Sequence, residues 1–264
     1  SEMCIRDRAW DEEFCRQMAA RGYRVIRFDN RDIGLSTKFN ESGAPDIAAL
    51  EKVLQRGEAP RLPYTLLDMA KDAAGLVKAL GYDSAHIVGE SMGGMIGQLM
   101  AIHLPECIRT FTSLMSSTGD PALPPPDPAA MEILHEPFPT DRKGYIKDFV
   151  RAYKVLNGPV IPISERLTRK WAEQSYDRGL NPDGITRQYA AMIASGDRTA
   201  LLRTVSVPTL VIHGDTDPIL PVKCGIATAN AIPGAQLNIV EGMGHALPEA
   251  VWSRMIEAIV AHAI

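Results

Sequence analysis

The chain of 264 residues lacks a strong excess of either charge: 28 Lys and Arg stand against 32 Asp and Glu, a formal net charge of −4. With no basic surplus to neutralise a phosphate backbone, nucleic-acid binding has no electrostatic support. No apolar run approaches the roughly 18 residues needed to span a bilayer, so a membrane partner is not expected. Cysteine is scarce. Cys4, Cys15, Cys107 and Cys224 are scattered, without a CxxC pair or metal-like spacing. This excludes a disulfide framework and a cysteine metal site, and four free thiols suit a reducing compartment, giving a cytoplasmic expectation. Aromatics make up only 6% of the residues, but 45% are hydrophobic, enough to exclude wholesale disorder. At about 150 residues per domain, the length fits one large domain or two small ones.

What is present is an alternation of strand-like and helix-like segments, the pattern of a parallel sheet covered on both faces. Asp11 to Ala20 reads as a helix stopped by Gly22, and Tyr23 to Phe28 as a buried strand. Thr65 to Leu80 carries Leu66, Met69, Ala73, Leu76, Val77 and Leu80 at helical spacing, with Gly81 as its stop. Ala85 to Val88 reads as a strand, Met92 to His103 as a helix and Ile108 to Leu114 as a strand. The pattern then breaks. Pro121, Pro124, Pro125, Pro126 and Pro128 mark a stiff linker, and amphipathic helical stretches follow near 140–156, 164–179 and 184–195. Alternation resumes with a strand at 209–213, a helix at 223–231, a strand at 236–240 and a helix at 249–262. The expected organisation is an α/β core of residues 9–119 and 205–264, interrupted by a helical insertion at 120–204.

Gly89-Glu90-Ser91-Met92-Gly93 matches G-x-S-x-G between a predicted strand and a predicted helix. A serine there sits on a sharp turn at the sheet edge, facing the positive end of a helix. Gly89 and Gly93 permit the tight backbone, and the Met92 N–H is placed to donate to a developing oxyanion. Serine alone is a weak nucleophile and needs a base and a group that orients the base. Asp215 and Asp217 lie on the loop after the 209–213 strand, and His245 on the loop after the 236–240 strand. Both loops leave C-terminal strand ends, where sites in open α/β sheets form. His213 reads as a histidine either packed in the core or supporting the site from behind, His86, His103 and His262 as structural, and His135 as a solvated residue of the insertion. Asp29, Arg31 and Asp32 read as an ion-pair and capping network behind the site. Met92, Met95 and Met243 are candidates for an adaptable apolar lining, with core packing the simpler role for Met95.

In this order and context, the chain from about Trp10 onward resembles the α/β-hydrolase superfamily with a helical cap. The features that carry the resemblance are the Phe28 to Ser36 loop, the Ser91 elbow, the Gly214 to Pro221 loop and Gly244-His245. Within the superfamily it looks most like carboxylic ester hydrolases of the anthracycline methylesterase type. The resemblance implies Ser91 as nucleophile, His245 as general base and Asp217 as acid, since the family pattern Gly-x-x-Asp maps Gly214 onto Asp217. Asp215 then supports its own loop, and Asp120 is an alternative acid. The implied reaction is hydrolysis of a carboxylic ester of a small, largely apolar molecule, with no metal or organic cofactor. Proline iminopeptidase, C–C hydrolase and perhydrolase chemistry are alternatives on the same side chains, as is a non-catalytic binding role. An epoxide hydrolase is disfavoured, because Ser91 stands where those relatives use aspartate. Residues 1–8 do not read as a strand and are expected to be a non-native leader. The first three strands of the fold, with the loop giving the second oxyanion donor, are expected to be missing.

Overall fold

A computed structural model describes residues 2–3, 10–136 and 139–263. Among the described residues, five strands form one parallel sheet in the order β1-β2-β3-β4-β5. They are β1 (Glu2–Met3), β2 (Ala85–Glu90), β3 (Ile108–Leu114), β4 (Thr209–Gly214) and β5 (Gln236–Val240). The helices are α1 (Glu12–Ala19), α2 (Ile47–Gln55), α3 (Leu66–Ala79), α4 (Met92–His103), α5 (Pro128–His135), α6 (Arg142–Asn157), α7 (Glu165–Asp177), α8 (Pro182–Ala194), α9 (Thr199–Leu202), α10 (Val222–Ala231) and α11 (Trp252–His262).

Alternation along the strands sorts side chains to two faces. Ile87 and Phe111 point to the layer of α3 and α4, where Met69, Ile96 and Met100 are wholly buried. Val88, Leu210, Ile212 and Val240 point to the layer of α1 and α11, against Phe14, Trp252, Met255 and Ile256. Local signals fix the helix starts. Thr65 and Asp68 form a reciprocal capping box on α3, an arrangement contributing about 1 kcal/mol. Asp11 accepts from Glu13 N–H at the start of α1, at 2.6 Å.

Helices α5–α9 all fall between β3 and β4. Carboxylates of the core tether them. Trp171 of α7 donates Nε1–H to Asp11 at 2.7 Å, and Arg178 pairs with Asp29 at 2.8 Å. Arg187 and Gln188 of α8 reach Asp32 and the Arg31 carbonyl, and Asn181, just ahead of α8, reaches the Asp32 carbonyl.

Two expectations are corrected. Tyr23–Phe28 is extended and partly buried but joins no strand of the sheet among the described residues. A strand requires a neighbour to hydrogen-bond. Here the Val88–Gly89 part of the β2 edge is paired with β1, and a cleft of about 350 Å³ is lined by Trp10, Tyr23, Val25, Ala85, His86 and Val88 among others. The second correction concerns the expectation that no strand falls within residues 1–8: Glu2 and Met3 form a short strand, parallel to β2 with Glu2 opposite Val88 and Met3 opposite Gly89. Ser1, residues 4–9 (Cys4 among them) and the side chain of His135 lie outside the described residues. Cys15, Cys107 and Cys224 are buried. Among the described residues, no helix is long and apolar enough to cross a membrane.

Candidate active site

The turn from β2 into α4 holds Ser91 at φ 52°, ψ −118°, in the positive-φ region that non-glycine residues rarely occupy. Holding it there costs about 1–3 kcal/mol, which the surroundings must offset. Ser91 N–H donates to the Leu114 carbonyl at 2.8 Å, and Ser116 Oγ–H donates to the Ser91 carbonyl at 2.8 Å, so the end of β3 clamps both sides of the residue. Gly89 answers a different need. A Cβ there would stand 2.3 Å from the Gly93 carbonyl oxygen, so strand and helix meet only because Gly89 has none. Met92 is the first residue of the twelve-residue α4. Its N–H has no acceptor within the helix and lies at the positive end of the dipole.

Asp217 follows β4. It is 5% exposed, and its Oδ1 accepts from the Ile219 and Leu220 N–H groups at 2.9 and 2.8 Å. Oδ2 is left to face His245 Nδ1 at 2.8 Å. Burial alone raises a carboxyl pKa, but the charge of His245 and the donors from His213, His245 and Leu220 outweigh it. Asp217 is thereby held well below the usual carboxylate range. His245 follows β5, its N–H donating to the Leu156 carbonyl of α6 at 2.7 Å. Its Nε2 lies 3.0 Å from Ser91 Oγ. Burial lowers the imidazole pKa, but the Asp217 charge, the Asp217 hydrogen bond and Glu90 raise it above the ordinary histidine value. With Nδ1–H donating to the carboxylate, Nε2 is the bare acceptor for the serine O–H.

The structure thus brings Ser91, His245 and Asp217 into one hydrogen-bonded chain, although Ser91 and His245 are 154 residues apart. Asp215 stands aside, accepting from Gly242 N–H at 2.6 Å. Asp120 accepts from Ala122 N–H at 2.8 Å. Asp29, Arg31 and Asp32 pair with Arg178, Asp72 and Arg187. His86 contacts Thr110 Oγ1 and His262 the Pro208 carbonyl. Met92, Met95 and Met243 are buried. No group of three or more His, Cys, Asp or Glu suited to a metal occurs among the described residues. The loop giving the second oxyanion donor is expected to be missing from the chain, and in the stretch ahead of Trp10 residues 4–9 lie outside the described residues.

Two further residues adjoin the site, and of these Glu90 is not legible from sequence. Glu90, read only as the variable position of the elbow, has Oε2 fully buried without a partner. Burial lifts its pKa to about 7, with His245 opposing and Asp217 adding to the rise. His213 lies 3.4 Å from Asp217 Oδ2. Its place four residues before Asp217, at the end of the same strand, was the available signal.

Residues 8–249 match the family described as alpha/beta hydrolase fold. The chain is 30% identical to the rhodomycin D methylesterase DauP of Streptomyces sp. (strain C5), over 97% of this chain and 86% of that protein. It is 28% identical to the 2-hydroxymuconate semialdehyde hydrolase of Pseudomonas putida, over 69% and 63% of the two chains. Among solved structures, the esterase RhEst1 from Rhodococcus sp. ECU1013 is similar with a TM-score of 0.70 at 20% identity, covering 99% of this chain and 88% of that one.

Proposed function

Because the chain belongs to the α/β-hydrolase fold family, we propose that it is a serine hydrolase that cleaves a carboxylic ester of a small, largely apolar molecule. The observation that carries the reading is the unbroken chain Ser91 Oγ, His245 Nε2, His245 Nδ1, Asp217 Oδ2, with steps of 3.0 and 2.8 Å across its two contacts. The similarity to a methylesterase supports an ester as substrate and a methyl ester as its first candidate.

In the first half-reaction Ser91 Oγ attacks the ester carbonyl while His245 Nε2 takes its proton. Asp217 holds the ring in the productive tautomer and stabilises the imidazolium. The Met92 N–H donates to the tetrahedral oxyanion. Collapse expels the alcohol, protonated by His245, and leaves an acyl-serine. Water then attacks with His245 again as base, releasing the acid and restoring Ser91. The helical segment at 120–204 is the cap of this site, its shape selecting among substrates. The free thiols Cys107 and Cys224 suit work in a reducing compartment.

The test is a fluorophosphonate probe beside an ester panel that includes methyl esters. Labelling and ester turnover are expected, with both lost in Ser91→Ala. A wild-type protein that neither labels nor turns over any ester sinks the reading. A C–C bond hydrolase is the second reading, favoured by similarity to the 2-hydroxymuconate semialdehyde hydrolase. Turnover of a ring-cleavage dienoate with no turnover of esters selects it.

A further inference from the structure

His213, the residue before the end of β4, is wholly buried. Its Nε2 lies 2.6 Å from the Leu220 carbonyl oxygen and 3.4 Å from Asp217 Oδ2. A carbonyl only accepts, so the short contact places the proton on Nε2. The other nitrogen, Nδ1, is buried with no partner. Behind the ring stands Gly225 in α10, where a Cβ would come within 2.5 Å of Nδ1 and 2.7 Å of the His213 Cβ. A bare buried nitrogen and a glycine inside a helix are both unfavourable. The histidine that requires them makes its one polar contact set on the side of Leu220 and Asp217.

Leu220 is the hinge of that set. Its carbonyl receives the His213 proton, and its N–H donates to Asp217 Oδ1 at 2.8 Å, next to the Ile219 N–H at 2.9 Å. Pinning the Leu220 carbonyl therefore fixes the turn whose amides set the rotation of the Asp217 carboxylate. That rotation aims Oδ2 at His245.

We propose that His213 is a positioning residue of the site, locking the 217–220 turn through the Leu220 carbonyl so that Asp217 Oδ2 stays on His245. The inference rests on the reading of Asp217 as the acid that orients His245. Other ionisable groups facing Asp217 are Cys224 of α10 and Glu90 at the end of β2, and Glu90 also faces His245.

Three variants test it, each checked for cooperative unfolding. His213→Leu removes the donor, His213→Gln keeps an N–H at similar reach, and Gly225→Ala presses the ring from behind. Two readouts are taken: the pH profile of kcat/KM on the best ester, and the His245 titration followed by NMR, which needs no turnover. His213→Leu is expected to lower kcat roughly ten- to a hundredfold with little change in KM, the cost of a misplaced catalytic group. The His245 titration is expected to move down by roughly half a pH unit, because Asp217 no longer holds the imidazolium as closely. Gly225→Ala shifts it the same way, and His213→Gln restores most of both. A titration that stays in place or rises in folded His213→Leu and Gly225→Ala overturns the proposal, as does equal loss in His213→Gln and His213→Leu. If His213→Leu does not fold, the other two variants decide by the same criteria. A wild-type protein without labelling or turnover sinks the functional reading alone, since the NMR titration still decides this one.

Discussion

Arg187 grips Asp32 with two prongs, Nε to Oδ2 and Nη2 to Oδ1, each at 2.8 Å, with both side chains wholly buried. The pair joins α8 to the 29–37 loop across 155 residues of sequence. Phe39 N–H and Tyr64 O–H complete the shell of the carboxylate at 2.7 Å each. Asp32 itself sits at φ 73°, so the loop is held in a conformation its sequence does not favour.

Arg187→Met is therefore expected to cost about 3–5 kcal/mol, because it strands a buried carboxylate without its counter-charge. Urea unfolding measures this. The double variant Asp32→Asn with Arg187→Met is expected to lose less than the sum of the single changes. Burial opposes ionisation of Asp32, yet Arg187, Phe39 and Tyr64 lower its pKa on balance. The stability it contributes is thus present above the ordinary aspartate range and lost as pH falls below it.

Asp217→Asn is expected to lower kcat about 10⁴-fold, since an amide does not hold the imidazole in its productive tautomer. Asp215→Asn is expected to leave kcat within about tenfold, as Asp215 does not touch His245 itself and an amide oxygen can still accept from the Gly242 N–H of the loop after β5. Steady-state kinetics on one ester decide the assignment. A larger loss at Asp215 would exchange the two roles.

Glu90 gives the site a second titration near neutrality. Its pKa of about 7 lies above the ordinary glutamate value because of burial. Ionised Glu90 raises the His245 pKa. Glu90→Gln is expected to move the acid limb of kcat/KM downward, toward the ordinary histidine value. The stability effect has the opposite sense to that of Asp32. A raised acid is at ease below its unfolded pKa and costs stability as pH climbs through the folded one. Above pH 7, Glu90→Gln is expected to be roughly 2–3 kcal/mol more stable than wild type. Below pH 4.5 the two should converge. Urea melts across this range test the crossing.

The same substitution should act with opposite sign at two glycines. Gly89→Ala drives a Cβ to 2.3 Å from a backbone oxygen and must open the elbow. It is expected to destabilise the fold and to lower kcat more than it raises KM. Gly75 lies inside α3 with nothing within 4 Å of its Cβ position. Gly75→Ala is expected to stabilise by about 0.4–1 kcal/mol. Thermal melts and steady-state kinetics compare the pair.

What was legible in the sequence was what short-range chemistry writes there. The G-x-S-x-G turn, the capping residues Thr65 and Asp11, and the alternation of Ile87 with Val88 each act within a few residues. Tyr23–Phe28 has the composition of a buried strand but joins no strand among the described residues, because composition describes what a segment can become, whereas pairing depends on what lies beside it. Helix α2 escaped notice because only Leu50 among its residues is buried, leaving a weak apolar stripe. Glu90 and Arg187 are polar letters whose burial depends on residues far along the chain. No local pattern shows that Arg187 meets Asp32, or that one carboxylate oxygen of Glu90 is buried without a partner.

The three side chains of the proposed machinery sit on loops after β2, β4 and β5, with α5–α9 looped out between β3 and β4. Bringing them together means closing that long loop, an entropic cost met only when the sheet is nearly complete. A chain with β2 and α4 in place but β5 unjoined carries the serine without its base. Under the proposed mechanism, nucleophilicity is then a property of the finished tertiary structure.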